Sequence, residues 1–365
     1  MKRFARLLCA LLAGAACVAQ SAVVPPGRDD EVIEQLPSAV ARAGAPASAD
    51  EAAQRALALV ALAQREGDPR PAGQALALLR PWQADARAPA AVVLALAQAE
   101  QHLHRFDGAR ARLQALTARD PAQPQAWLML ATLHRVQGRY AESDAACTGL
   151  ERAGAALFAA ACAAENAALR GGFDAARSRL QALLQAAPDA ATRGWLWTTL
   201  GELELRAGRT EPAEAALRAA LRGPPDGYAT LALADLLLDQ GRAAEAVALL
   251  REQPDSDPVL LRRAMADPDS AAAAELRRRF AQADLRPGAA EGHGRERALF
   301  ALHVERDAAA ALRLARENVC VQREPTDLLL LVRAARAAGD EGARQQALQL
   351  AKEVHLEDRR LQASN

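Results

Sequence analysis

The sequence predicts an all-α protein, a solenoid of antiparallel helix hairpins, and three observations carry that expectation. Small and large residues recur in a fixed frame with a period near 34 residues. Apolar residues make up 51% of the chain but aromatics only 3%, so alanine and leucine, both strong helix formers, supply the core. No sustained alternation of valine, isoleucine, threonine and tyrosine marks a strand. The 365 residues suffice for two compact domains or one elongated array.

Residues 1–22 read as a secretory signal peptide. Lys2, Arg3 and Arg6 precede an apolar run from Leu7 to about Val18, and Ala19-Gln20-Ser21 offers a signal-peptidase site. The run is too short for a membrane span, and no other segment reaches the roughly 18 apolar residues a span requires. The expected location is therefore periplasmic or secreted. Gly14-Ala15-Ala16 before Cys17 leaves a lipid anchor at Cys17 as the alternative, although the leucine of lipoprotein signals is missing. Residues 23–47 form a linker. "SADE" (Ser48 to Glu51) has the layout of a capping box and starts the first hairpin.

The repeat frame is read on second-helix residues Ala75, Ala109, Ser143, Ala176, Ala213 and Ala246, spaced 34, 34, 33, 37 and 33. Four residues after each lie Leu79, Leu113, Cys147, Leu180, Leu217 and Leu250. Twelve before each lie Ala63, Ala97, Ala131, Ala164, Gly201 and Ala234, all small. Gly138, Gly171, Gly208 and Gly241 stand five residues before the frame position, and Pro121, Pro188, Pro225 and Pro258 twelve after it. The small pair lets two helix axes approach within about 8–10 Å. The glycine ends a helix in the left-handed conformation, and the proline forbids its continuation. One hairpin cannot bury its own face, so neighbours must stack. The first unit carries "GDPRPAG", read as a turn about three residues longer than the others, and His104 replaces the turn glycine of the second.

With Trp127 and Trp197 at the first-helix anchor and Tyr140 and Phe173 after the turn, the pattern resembles the tetratricopeptide repeat (TPR). The resemblance covers six units within 48–258. It implies a right-handed superhelix and a binding rather than catalytic role, with first-helix residues lining a concave groove. The residues after each small position are Gln64, Gln98, Thr132, Glu165, Glu202 and Asp235. The partner-binding groove is accordingly expected at Gln98, Thr132, Glu165, Glu202 and Asp235. The drift to acidic residues suggests a ligand with a basic portion.

Residues 259–365 read as degenerate helical repeats and a cap. "AAAAELRRRFAQADL" is one helix, Arg286 to Gly294 a loop, and "ALRLA" (Ala311 to Ala315) and "GDEGARQQAL" (Gly339 to Leu348) degraded second helices. His293 in the loop is read as solvated. After cleavage of the leader three cysteines remain. Cys147 and Cys162 lie equidistant from the turn at Gly154, among alanines that permit close approach, and are expected to form a disulfide. Cys320 is left over.

Lys+Arg and Asp+Glu are equal at 45, and no basic stripe with interleaved aromatics occurs, so a nucleic-acid partner is not expected. No H-E-x-x-H, G-x-S-x-G, phosphate-binding glycine loop or CxxC is present, and no catalytic residue, metal site or cofactor is expected. The function expected is an exported adaptor that binds a protein or peptide; a small-molecule ligand is not expected. The alternatives are a lipoprotein subunit of an envelope assembly or export machine, and an envelope enzyme for which the array is an accessory.

Overall fold

The computed structural model describes residue 46 and residues 48–285 and 294–363. The leader, Cys17, nearly all of the linker and His293 lie outside the described residues. The described residues contain no strand and form a right-handed TPR-like solenoid of stacked hairpins. The first six units are α1 (Ala49–Glu66) with α2 (Arg70–Leu78), α3 (Ala90–His102) with α4 (Phe106–Arg119), α5 (Pro124–Val136) with α6 (Tyr140–Arg152), α7 (Ala156–Leu169) with α8 (Phe173–Ala186), α9 (Ala190–Arg206) with α10 (Thr210–Ala220), and α11 (Gly227–Asp239) with α12 (Ala243–Leu250). Three more hairpins follow. They are α13 (Asp257–Ala266) with α14 (Ala271–Asp284), α15 (Gly294–Phe300) with α16 (Ala308–Val321), and α17 (Pro325–Ala337) with α18 (Glu341–Glu353). A π-helical turn, Ala301–Glu305, extends α15, and a short α19 (Arg360–Ala363) ends the described chain.

The turns follow the sequence frame closely. Ser48 caps α1 by accepting from the Glu51 N–H, and Gly138, Gly171, Gly208 and Gly241 all have positive φ. His104 takes the same conformation at φ 56°, and histidine is among the side chains that tolerate it. The first unit corrects the sequence reading. Its turn is no longer than the others, because Gly67 (φ 67°) lies five residues before Ala72, not Ala75. The true frame there is Val60, Gly67, Ala72 and Leu76, all but the glycine buried. The three extra residues sit instead after α2, in a connection that includes a 3-10 turn at Arg80–Trp82. Two alanines at i and i+3, Ala72 and Ala75, are both fully buried, which is why the pattern alone chose the wrong one.

Apolar clusters bridge neighbouring units, as stacking requires. Ala52 to Leu79 of the first unit pack with Val92 to Ala99 of the second, and Ala97 to Met129 continue to Cys162 of the fourth. Gly201 shows how close the approach is. A Cβ there would stand 2.8 Å from Leu217 Cγ, whereas at Gly194 on the same helix the nearest such atom is Ala220 O at 3.7 Å. Gly201→Ala is expected to cost about 1–3 kcal/mol through overpacking. Gly194→Ala should gain up to about 1 kcal/mol from helix propensity. Thermal melts of the two variants should shift in opposite directions; a parallel shift would remove the steric explanation.

In the structure Cys147 of α6 and Cys162 of α7 are joined by a disulfide, with Cα atoms 5.8 Å apart. Cys320 is exposed, and its thiol donates to the Arg316 carbonyl at 3.4 Å.

The superhelix closes on itself every six units. Gly67 in the first turn meets Asp257 and Pro258 at the start of the seventh unit, and Gly138 in the third meets Arg323 and Val354 of the ninth. The chain after α18 then runs along the ends of the first helices. The last residue of three successive first helices gives up its carbonyl to the C-terminal units, once to the α16–α17 connection and twice to the chain after α18. Arg323 N–H donates to Val136 O at 2.7 Å, Glu357 N–H to Leu169 O at 2.8 Å, and Arg359 N–H to Arg206 O at 2.9 Å. The Arg359 guanidinium lies over the Phe173 ring, and Leu356 and Leu361 are buried in one apolar cluster with Tyr140 and Leu169. A helix's last carbonyls lack intrahelical partners, so this segment satisfies groups that would otherwise need water.

Candidate ligand-binding channel

Successive first helices carry polar side chains that pair across from one helix to the next, and these mark the wall of a candidate channel. Of the residues expected in the groove, Gln98 and Thr132 are half-buried, and Thr132 Oγ1 donates back to Leu128 O at 3.1 Å. Gln64, in the first unit, is exposed. The three acidic residues each engage a neighbouring first helix. Glu165 pairs with Arg135 of α5 at 3.1 Å. Asp235 accepts two hydrogen bonds from Arg262 of α13, at 2.8 and 2.7 Å. Glu202 accepts from the hydroxyl of Tyr228 on α11. Glu165 and Asp235 are thus paired with arginines of the same chain, while Glu202 meets a neutral phenol.

The ladder of ion pairs continues into the C-terminal units. Arg333 of α17 binds Asp239 of α11 at 3.0 and 2.8 Å. Arg295 reaches Asp327 at 2.7 and 2.9 Å and also contacts Glu324. Asp358 is fully buried and paired with Arg360 at 2.6 Å. His303, in the π-helical turn, faces the same group: burial lowers its basicity, nearby Arg333 adds to this, and Asp239 and Asp235 oppose it.

Burial also pushes the Glu202 carboxyl above the usual carboxylate range, against the pull of Arg206 and the Tyr228 hydroxyl. The Tyr228 phenol is raised by the Glu202 carboxylate and then by burial. Tyr228 itself is 61% solvent-exposed. A separate, open hollow on the array is lined by Pro121, Ala122, Trp127, Gly149 and Arg152; there Trp127 Nε1 donates to Pro121 O at 2.9 Å.

Arg135, Tyr228, Arg262, Arg295 and Asp327 were not found by sequence reading. Asp235 and Arg262 sit 27 residues apart, less than one repeat, so a search for complementary charges on successive first helices would have paired them. Among the described residues, no group of three or more His, Cys, Asp or Glu could hold a metal ion. Likewise, no helix among them is long and apolar enough to cross a membrane.

Comparison with known proteins agrees with this architecture. The tetratricopeptide-repeat family model matches residues 94–157 and 198–258, so the chain carries repeats of that kind. The structure of a Rap protein complexed with competence and sporulation factor is similar with a TM-score of 0.55 at 10% identity, over 90% of this chain and 91% of that one. A thermophilic TPR protein of Thermus thermophilus aligns over 64% of this chain and 97% of its own, with 21% identity and a TM-score of 0.34. The human IFIT1 dimer with PPP-AAAA aligns over 84% and 73%, with 14% identity and a TM-score of 0.41. At such identities the likeness concerns the fold. No curated protein matches the sequence.

Proposed function

We propose that this chain of tetratricopeptide repeats is an exported scaffold that seats a segment of a partner protein or peptide in its channel. One observation carries the reading: the first helices of successive units are tied to one another by ion pairs among their variable polar side chains. A wall of this kind suits an extended ligand that meets several units in turn. Glu165, Asp235 and Asp327 are held by arginines of adjacent helices, which favours recognition over proton transfer. Export is supported by the leader-like N-terminus and by the bonded cysteine pair, which a reducing compartment would not preserve. The envelope is the compartment we infer.

The test uses a photo-crosslinking amino acid in the full chain in its native host, placed at Gln98, Thr132 or Tyr228, with exposed Arg152 as the control. Channel positions should trap one protein or peptide that the control does not. Capture from Arg152 alone would discard the channel assignment. The mass of the mature N-terminus tests export: cleavage in the Ala19-Gln20-Ser21 region is expected, and a lipidated Cys17 would replace soluble export by anchoring.

A further inference from the structure

The bond between Cys147 and Cys162 touches the channel wall directly, through Arg135 in the last turn of α5. Arg135 Nη1 donates to Cys162 Sγ at 3.7 Å. Its Nη2 meets Glu165 Oε2 at 3.1 Å and Thr132 Oγ1 at 3.4 Å. One guanidinium therefore serves a sulfur of the bond and two of the residues expected in the groove. The other sulfur is held in a similar way. Asn166, fully buried on α7, places Nδ2 3.4 Å from Cys147 Sγ, 2.9 Å from Ser143 Oγ and 2.8 Å from Asp144 Oδ1. Glu165 and Asn166 are consecutive, so the wall and the contact to Cys147 share one turn of helix.

A bonded sulfur carries no charge and accepts hydrogen bonds only weakly, so it leaves Arg135 to Glu165. A thiol at the same place is a different neighbour. The adjacent guanidinium favours ionisation of Cys162, and apolar burial opposes it. A Cys162 thiolate sets a second full charge against Glu165 for one cation, and charge-assisted hydrogen bonds are the strong ones. Two unbonded sulfurs must also move apart to ordinary contact distance. Both lie in one close-packed cluster with Leu130, Ala131 and Ala146, where little spare volume exists to absorb the movement. The displacement is passed on to what touches the sulfurs, and Arg135 is the contact that belongs to the wall.

We propose that the Cys147–Cys162 pair is a redox gate on the channel wall. With the bond closed, Arg135 ties α5 to α7 through Glu165; with it open, Arg135 turns to Cys162 and that tie is lost. Closing the bond takes two electrons and two protons from the two thiols and passes them to a disulfide-bearing oxidant, which leaves as a dithiol. An exported chain starts with thiols and meets such an oxidant after export, so the wall is completed only there. The gate concerns the wall itself and rests on the channel reading only for the capture it controls.

Amide hydrogen exchange of the full chain, with the bond closed and after dithiothreitol, tests it. Reduction should speed exchange in the last two turns of α5 about tenfold, as expected for losing one hydrogen bond to a charged group. Arg135→Gln removes the tie in both states, so in that variant the redox effect on α5 should largely disappear. Glu165→Gln should act likewise and is independent should Arg135→Gln fail to fold. Arg262→Gln breaks the tie to Asp235 instead and should leave the redox effect on α5 as in the parent. Any general loosening on reduction acts on parent and variants alike and cancels in the comparison. Equal redox effects on α5 in the parent, Arg135→Gln and Glu165→Gln would overturn the gate, whatever the channel binds. In the native host, Cys147→Ser with Cys162→Ser should lower crosslinked capture at Gln98 and Tyr228 about tenfold. Undiminished capture there would overturn the gate as well. Redox-dependent exchange in α5 with no capture from any channel position of the parent would retire the channel reading alone.

Discussion

Asp327→Ala should be the most damaging single substitution in the C-terminal half, at about 3 kcal/mol, because it empties a fully buried acceptor site and strands a half-buried arginine. The Asp327 side chain is fully buried and accepts from Arg295 Nε and Nη2, from Asn318 Nδ2 at 2.7 Å and from the Glu324 N–H at 2.9 Å. It is also the third residue of α17, where it completes a reciprocal cap with Glu324. Alanine removes all of these acceptors together and leaves the Arg295 guanidinium with Glu324 alone. Urea unfolding followed by far-UV circular dichroism should show the loss as a lower midpoint. Arg295→Met added to Asp327→Ala should recover most of it, since the cost lies in the uncompensated charge more than in a missing attraction. A loss below about 1 kcal/mol for the single variant would show that the pair is solvated and not structural.

Opening the Cys147–Cys162 link is the second large effect expected. The bridge closes a loop with a sequence separation of 15, for which chain-entropy arithmetic gives about 3 kcal/mol. It also ties the third unit to the fourth at the level where both sulfurs are buried in the core cluster. Cys147→Ser with Cys162→Ser should therefore lower the urea midpoint, and dithiothreitol should lower that of the parent protein but not that of the double variant. Alkylation before reduction should label Cys320 and spare the pair. Equal labelling of Cys147 and Cys162 with and without reductant would rule the bond out.

The sequence disclosed the repeat because packing imposes it locally. Ala109, Ala176, Ala213 and Ala246 are small and buried for the same reason in every unit, and Gly138 or Gly208 must turn the chain in the same way each time. The register error in the first unit arose where two alanines satisfied one rule. The channel was less legible. Glu165, Glu202 and Asp235 were visible as variable neighbours of the small positions, but their partners Arg135, Tyr228 and Arg262 depend on how adjacent units rotate. The docking of the C-terminal segment on Leu169 and Arg206 was beyond reach, since that segment follows more than 100 residues later in the chain. Periodicity describes a unit and its neighbour; it carries no information about unit three meeting unit nine.

That meeting alters how the chain should come apart. An open array behaves as a one-dimensional string in which terminal units fray and interior ones persist, so unfolding spreads over a range of conditions. Here the bonds from Arg323, Glu357 and Arg359 to Val136, Leu169 and Arg206 couple the tail to the middle of the string. The final unit is then no longer the free end at which melting begins. Nearest-neighbour thermodynamics gives way to a ring-like system with long-range coupling, and the third to ninth units should lose structure as a single cooperative block.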